Sequence, residues 1–111
     1  MVAHALLLDS IFGSLADPTR RDILKRVAKK ELSVGEIAKS YRLTFAAISK
    51  HLKILEKAKL IVKRREGKQQ VVTMVPATIQ DAAQFLQIYE KMWNDRLDAL
   101  EKYLSSFPKS S

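Results

Sequence analysis

Apolar residues recur along this chain at two different spacings, and the change from one to the other lays out its elements. Between Thr44 and Lys57, Ile48, Leu52 and Leu55 stand at i, i+4 and i+7, which places them on one face of a helix. A second stripe on that helix, Ala46, Ser49, Lys50, Lys53 and Lys57, holds only small and cationic side chains. Upstream, Leu8, Ile11, Phe12 and Leu15 predict a short, mostly apolar first helix over about residues 5–15. Asp17-Pro18 then supplies an N-cap and a proline at the first position of a second helix. That helix carries Ile23, Leu24 and Val27 inward and Arg20, Arg21, Lys25, Arg26, Lys29 and Lys30 outward. Ser33-Val34-Gly35-Glu36 has the spacing of a capping box and opens a short third helix with Val34, Ile37 and Ala38 on its apolar side. After a turn at Tyr41-Arg42-Leu43, Thr44 offers a hydroxyl N-cap to the helix that bears the basic stripe. Short helix, tight turn and longer helix make a helix-turn-helix over about residues 33–58.

From Leu60 the helical spacing gives way to β-branched runs. Leu60 to Arg64 and Gln70 to Val75 predict the two strands of a hairpin, a wing over about residues 60–75, with Gly67 supplying the positive φ of its turn. Its tip is cationic. Pro76-Ala77-Thr78 ends the second strand, and Thr78-x-x-Asp81 is the expected cap of a last helix over about residues 78–105. There Ile79, Ala83, Leu86, Trp93, Leu97, Leu100 and Leu104 advance with a near-heptad period, widened by Phe85, Tyr89, Met92 and Tyr103. Such a helix would span about 40 Å, longer than a domain this small can cover with its own core. The excess apolar surface predicts a second copy of the chain, with the first helix packed alongside and the two basic helices on one face of a twofold dimer. The candidate dimer surface is Leu8, Ile11, Phe12, Leu86, Tyr89, Trp93, Leu97, Leu100 and Leu104. The predicted fold is mainly α with a small β-hairpin: a winged helix-turn-helix in a single domain over residues 1–111.

Charge changes the picture most when it is placed along the chain. The net charge is +8, and residues 41–75 hold nine basic and two acidic residues, a local excess of +7. A merely soluble protein has no reason to gather cations on the one segment with groove-entering geometry, whereas an anionic polymer supplies that reason. There is no cysteine, which removes disulfides and thiolate metal ligands together. Neither His4 nor His51 has a partner at metal-ligand spacing, so no metal and no cofactor is expected. With three glycines and no nucleophile–base arrangement, catalysis is not expected either. The apolar run Ala5 to Leu8 is too short for a membrane span or a signal peptide, which predicts a cytoplasmic protein without a membrane partner.

The segments Leu15-Ala16-Asp17-Pro18-Thr19-Arg20-Arg21-Asp22-Ile23-Leu24, Leu32-Ser33-Val34-Gly35-Glu36-Ile37-Ala38 and Ile48-Ser49-Lys50-His51-Leu52-Lys53-Ile54-Leu55 together resemble the arsenic-repressor (ArsR/SmtB) family of winged-helix repressors. The resemblance runs from about Leu8 to Leu104. It implies a homodimeric transcriptional repressor whose first and last helices form the dimer interface. It also implies that Phe45, Ala46, Ser49 and Lys50 stand where the family contacts bases. Lys50 is suited to guanine O6 or N7, Ser49 to a base or a phosphate, and Ala46 to a thymine methyl. For Phe45, where the family has a polar residue, a thymine methyl and the core are equal alternatives. Lys53, Arg64, Arg65 and Lys68 are assigned to phosphates, or for one wing arginine to a minor groove, and Thr44 completes the candidate DNA-binding set. Arg20 and Arg21 have two readings, phosphate contact or a paired and solvated surface. Soft-metal sensors resembling this family carry Glu-Leu-Cys-Val-Cys-Asp where this chain reads Glu31-Leu32-Ser33-Val34-Gly35-Glu36, so the resemblance implies a branch without metal sensing. Lys59 replaces the glycine usual at the end of the basic helix.

Three functional readings follow. The leading one is a dimeric, sequence-specific repressor of an inverted repeat in double-stranded DNA, with an unidentified inducer or inhibitory protein as its remaining partner. The others are a sequence-tolerant chromosomal architectural protein and a winged-helix protein-interaction module.

Overall fold

The computed structural model describes the backbone of residues 2–108 and the side chains of residues 7–108. The elements run α1 (Val2–Ser14), α2 (Pro18–Lys29), β1 (Leu32–Ser33), α3 (Val34–Ser40), α4 (Phe45–Lys57), β2 (Ile61–Glu66), β3 (Gln69–Met74) and α5 (Pro76–Ser105). This is a winged helix-turn-helix, mostly helical with a small antiparallel sheet. The chain divides into two compact units, Met1–Ile79 and Gln80–Ser111.

The first unit is built around α4. Ile48, Leu52 and Leu55 are wholly buried, as are Ile23, Ile37, Leu60, Ile61 and Val72 from the surrounding elements. Local signals decide where the helices start. Asp17 accepts from the Arg20 backbone N–H at 3.0 Å, with Pro18 at the first helical position of α2. Ser33 and Glu36 exchange both bonds of a capping box, Glu36 N–H to Ser33 Oγ at 3.1 Å and Ser33 N–H to Glu36 Oε1 at 3.0 Å. The Ser33 N–H is the main reason the Glu36 carboxyl sits below its usual pKa.

The sheet has three strands in the order β1-β3-β2, one more than the two-stranded hairpin read from the sequence. The extra strand is only two residues long, Leu32 opposite Val72 and Ser33 opposite Val71, too short for any alternation to show. The hairpin is also tighter than expected. Glu66 pairs with Gln69, which leaves a two-residue turn, Gly67-Lys68, with φ +63° at Gly67 alone, as a type II′ turn requires. The last helix starts at Pro76, earlier than the expected cap. Thr78 is therefore inside it, and its buried hydroxyl donates to the Lys59 carbonyl at 2.5 Å instead of capping. The backbone is left-handed just beyond the end of α4, with φ +60° at Lys59. There Lys59 N–H reaches Glu56 O at 2.9 Å and Leu60 N–H reaches Leu55 O at 3.1 Å, the paired bonds of a Schellman motif.

The second unit is the helical remainder of the chain. Within it Phe85 and Tyr89 meet edge to face at 5.5 Å, and Tyr103 and Phe107 at 4.8 Å. Leu86, Tyr89, Trp93, Leu97, Leu100 and Leu104 are all exposed. Leu8 and Ile11 differ from the other candidate dimer residues. Leu8 is 7% and Ile11 0% exposed, both covered within the single chain. Phe12 is half-buried. The spacing of α1 shows which residues share a face, not which body covers it.

Candidate nucleic-acid interface

The buried face of α4 fixes what its other side presents. Ala46, Lys50 and Lys53 are exposed and Ser49 is half-buried. Thr44 is the N-cap, its hydroxyl accepting the Ala47 N–H at 3.1 Å. Phe45, for which core and surface were equal alternatives, is 62% exposed at the first position of the helix, outside the core.

The wing sorts its arginines by the pleat, since alternate residues of a strand point to opposite faces. Ile61 is buried, and Lys63 Nζ lies 3.6 Å from Glu56 Oε1 of α4, so the face they share with Arg65 is turned toward α4. Arg64 points the other way. Its Nη2 lies 2.5 Å from Glu31 Oε2 and 3.1 Å from Glu66 Oε2. These bonds, Glu31 first, hold the guanidinium above its usual pKa, and Arg64 in turn holds Glu31 below the usual carboxylate range. Arg64 is thus a partner of two carboxylates, unlike the other cations grouped with it as phosphate ligands. Among the described residues, no carboxylate lies within ion-pair distance of Lys50, Lys53, Arg65 or Lys68.

Between the start of α4 and the wing lies a cleft of about 390 Å³, lined by Ser33, Val34, Gly35, Phe45, Arg65, Lys68, Gln69 and Gln70. Gln69 and Gln70 are additions to the sequence-derived set. Gln70 is paired across from Arg65 and so shares its face; an accurate hairpin register would have found it.

Two further groups hold the helix-turn-helix in place. Tyr41, at the end of α3, donates its hydroxyl to the Asp22 carboxylate, which also accepts from Arg26 Nε at 3.1 Å. Arg26 stands 5.2 Å over the Tyr41 ring. Burial first, then the ionised acceptor, pushes the Tyr41 phenol up to about 12, and the Tyr41 hydrogen bond is the main cause that holds Asp22 below its usual pKa. Arg20 and Arg21 both bond backbone carbonyls: Arg20 Nε donates to Ser14 O at 2.6 Å and Arg21 Nη1 to Leu15 O at 2.9 Å. Both are turned to the end of α1.

This geometry has relatives. The family model described as "Bacterial regulatory protein, arsR family" matches residues 17–63. The HTH-type transcriptional regulator Rv2034 of Mycobacterium tuberculosis is 40% identical over 61% of this chain, a match that spans 64% of that protein's length. The uncharacterised HTH-type transcriptional regulator YuzN of Bacillus subtilis is 39% identical over 58% of this chain and 77% of its own. Among solved structures, the ArsR family transcriptional regulator RHA00566 superposes with a TM-score of 0.75 at 27% identity, covering 81% of this chain and 93% of that one. A winged helix-turn-helix with an uncompensated basic face, matched by relatives of this kind across the segment that builds it, makes the chain a member of the arsR family of bacterial regulatory proteins.

Proposed function

We propose that this protein is a dimeric, sequence-specific transcriptional repressor that places α4 in the major groove of double-stranded DNA and the wing along the adjoining backbone. One observation carries the reading. Four cations without a carboxylate partner among the described residues, Lys50, Lys53, Arg65 and Lys68, gather on the outer stripe of α4 and on the wing, while the opposite face of α4 is anchored in the core. Lys50 and Ser49 are assigned to base edges, with Ala46 and Phe45 as apolar contacts to thymine methyls. Lys53, Arg65 and Lys68 are assigned to phosphates.

The exposed apolar residues of α5 support a second copy as the partner, and a twofold dimer reads an inverted repeat. Repression follows where such a site overlaps the start of a gene. Regulation by something other than a metal is part of this reading, since the sequence has no cysteine to supply thiolate ligands.

The test is a titration of the protein against two duplexes of equal length, one enriched by it from a random-sequence pool and one scrambled, at two salt concentrations. Preference for the enriched duplex by about 10³-fold or more is expected. Near-equal, steeply salt-dependent binding to both would replace this reading with a sequence-tolerant architectural one. Failure to bind either would favour a protein-interaction module.

A further inference from the structure

We propose that Arg20 and His51 form a positioning pair that fixes α4 against the end of α1, with His51 acting as a neutral ring whose proton is on Nε2. The inference rests on the DNA-binding reading for its consequence, but not for its chemistry.

Arg20 spans three elements. Its backbone N–H is held by the Asp17 cap at 3.0 Å, and its Nε donates to the carbonyl of Ser14, the last residue of α1, at 2.6 Å. Its Nη1 lies 3.4 Å from Nδ1 of His51, which is next to Lys50 on α4 and half-buried. A guanidinium can only donate hydrogen bonds, so the His51 Nδ1 must accept, and a neutral ring then carries its proton on Nε2. The competing partner is the Asp17 carboxylate, which could only accept and would call for a proton on Nδ1. It stands farther off, at 3.9 Å, and is already engaged by the Arg20 backbone. The shorter contact decides the tautomer.

The consequence follows from what each DNA contact tolerates. Lysines on flexible stems reach phosphates over a range of helix positions, whereas a base-edge hydrogen bond is lost over a displacement of on the order of 1 Å. A pair that holds α4 by the residue beside Lys50 therefore acts on discrimination between sequences rather than on affinity for DNA in general.

Two measurements test the pair. Nitrogen-15 NMR of the His51 ring in the DNA-free protein should show the Nε2–H tautomer, moving toward Nδ1–H in Arg20→Gln as Asp17 becomes the nearest partner. A wild-type ring protonated on Nδ1 would overturn the pairing whether or not the protein binds DNA. In the titration against enriched and scrambled duplexes, His51→Asn keeps an acceptor near the Nδ1 position and His51→Leu removes it. His51→Leu should lower the preference about tenfold or more, with scrambled-duplex binding and thermal midpoint little changed, and His51→Asn should retain most of it. Arg20→Lys, a single donor centre unable to span both contacts, should behave like His51→Leu. Equal behaviour of the Asn and Leu variants, or equal loss on both duplexes, would reduce the pair to ordinary packing.

Discussion

α4 and α5 are both amphipathic helices, yet the chain treats their apolar residues oppositely. On α4, Ile48, Leu52 and Leu55 are wholly buried, whereas on α5 Leu86, Trp93, Leu97 and Leu100 remain between 43% and 61% exposed. The physical difference is company. The first is enclosed by α1, α2, α3 and β2 of its own chain; the second carries a stripe that its own chain leaves open. A hydrophobic stripe thus identifies a buried face but not the molecule that buries it.

The largest expected effects break this comparison directly. Leu52→Ala should lose about 2–5 kcal/mol of folding stability by chemical denaturation, at any protein concentration. Leu97→Glu should instead leave the fold of the first unit in place and yield monomers by sedimentation, with the preference for an enriched inverted-repeat duplex lost. A stable Leu97→Glu dimer would move the interface elsewhere.

Within the DNA-facing surface the comparison narrows to neighbouring cations. Lys50→Ala should reduce discrimination by about 1–3 kcal/mol per half-site, while Arg65→Ala should weaken all duplexes alike and lower the salt slope by about one. Arg64→Ala should do neither, because its guanidinium is already paired with Glu31 and Glu66. Equal effects of Arg64→Ala and Arg65→Ala would show that the pleat does not divide their work.

Acid should act on the first unit. Asp17, Asp22, Glu31 and Glu36 all have pKa values lowered by hydrogen bonds within it. A carboxylate depressed on folding contributes stability that is complete above its unfolded value, 3.8 for Asp and 4.5 for Glu, and is lost as pH falls through the lower folded value. Thermal midpoints should therefore be flat near neutral pH and fall below about 4.5, more gently in Glu36→Gln.

What the sequence made legible was whatever depends on near neighbours. Asp17-Pro18, the Ser33–Glu36 box, the Thr44 cap and the Gly67 turn each announce themselves within four residues, and all four are present. The helix-turn-helix could be read for that reason. β1 could not, because its two residues acquire strand character only by meeting Val71 and Val72. The same holds for the arginines. Arg64 is withdrawn by Glu31, 33 residues away, and Arg20, bonded to the Ser14 carbonyl, also meets His51, 31 residues away. Composition located the basic segment, but only folding shows which of its charges remain uncompensated.

The smallest expected effect concerns the junction between α4 and the wing. Lys59 holds φ +60° so that its N–H and that of Leu60 can close the last turn of α4, and the buried Leu55 and Leu60 accompany that motif. A side chain with a Cβ is strained there, and glycine is not, although glycine gives up more entropy on folding. The difference leaves Lys59→Gly more stable by about 0.5–1 kcal/mol. DNA preference should be unchanged, since Lys59 lies outside both the α4 stripe and the cleft beside the wing. A loss of stability in Lys59→Gly would mean that the lysine side chain contributes more than the strained backbone beneath it costs.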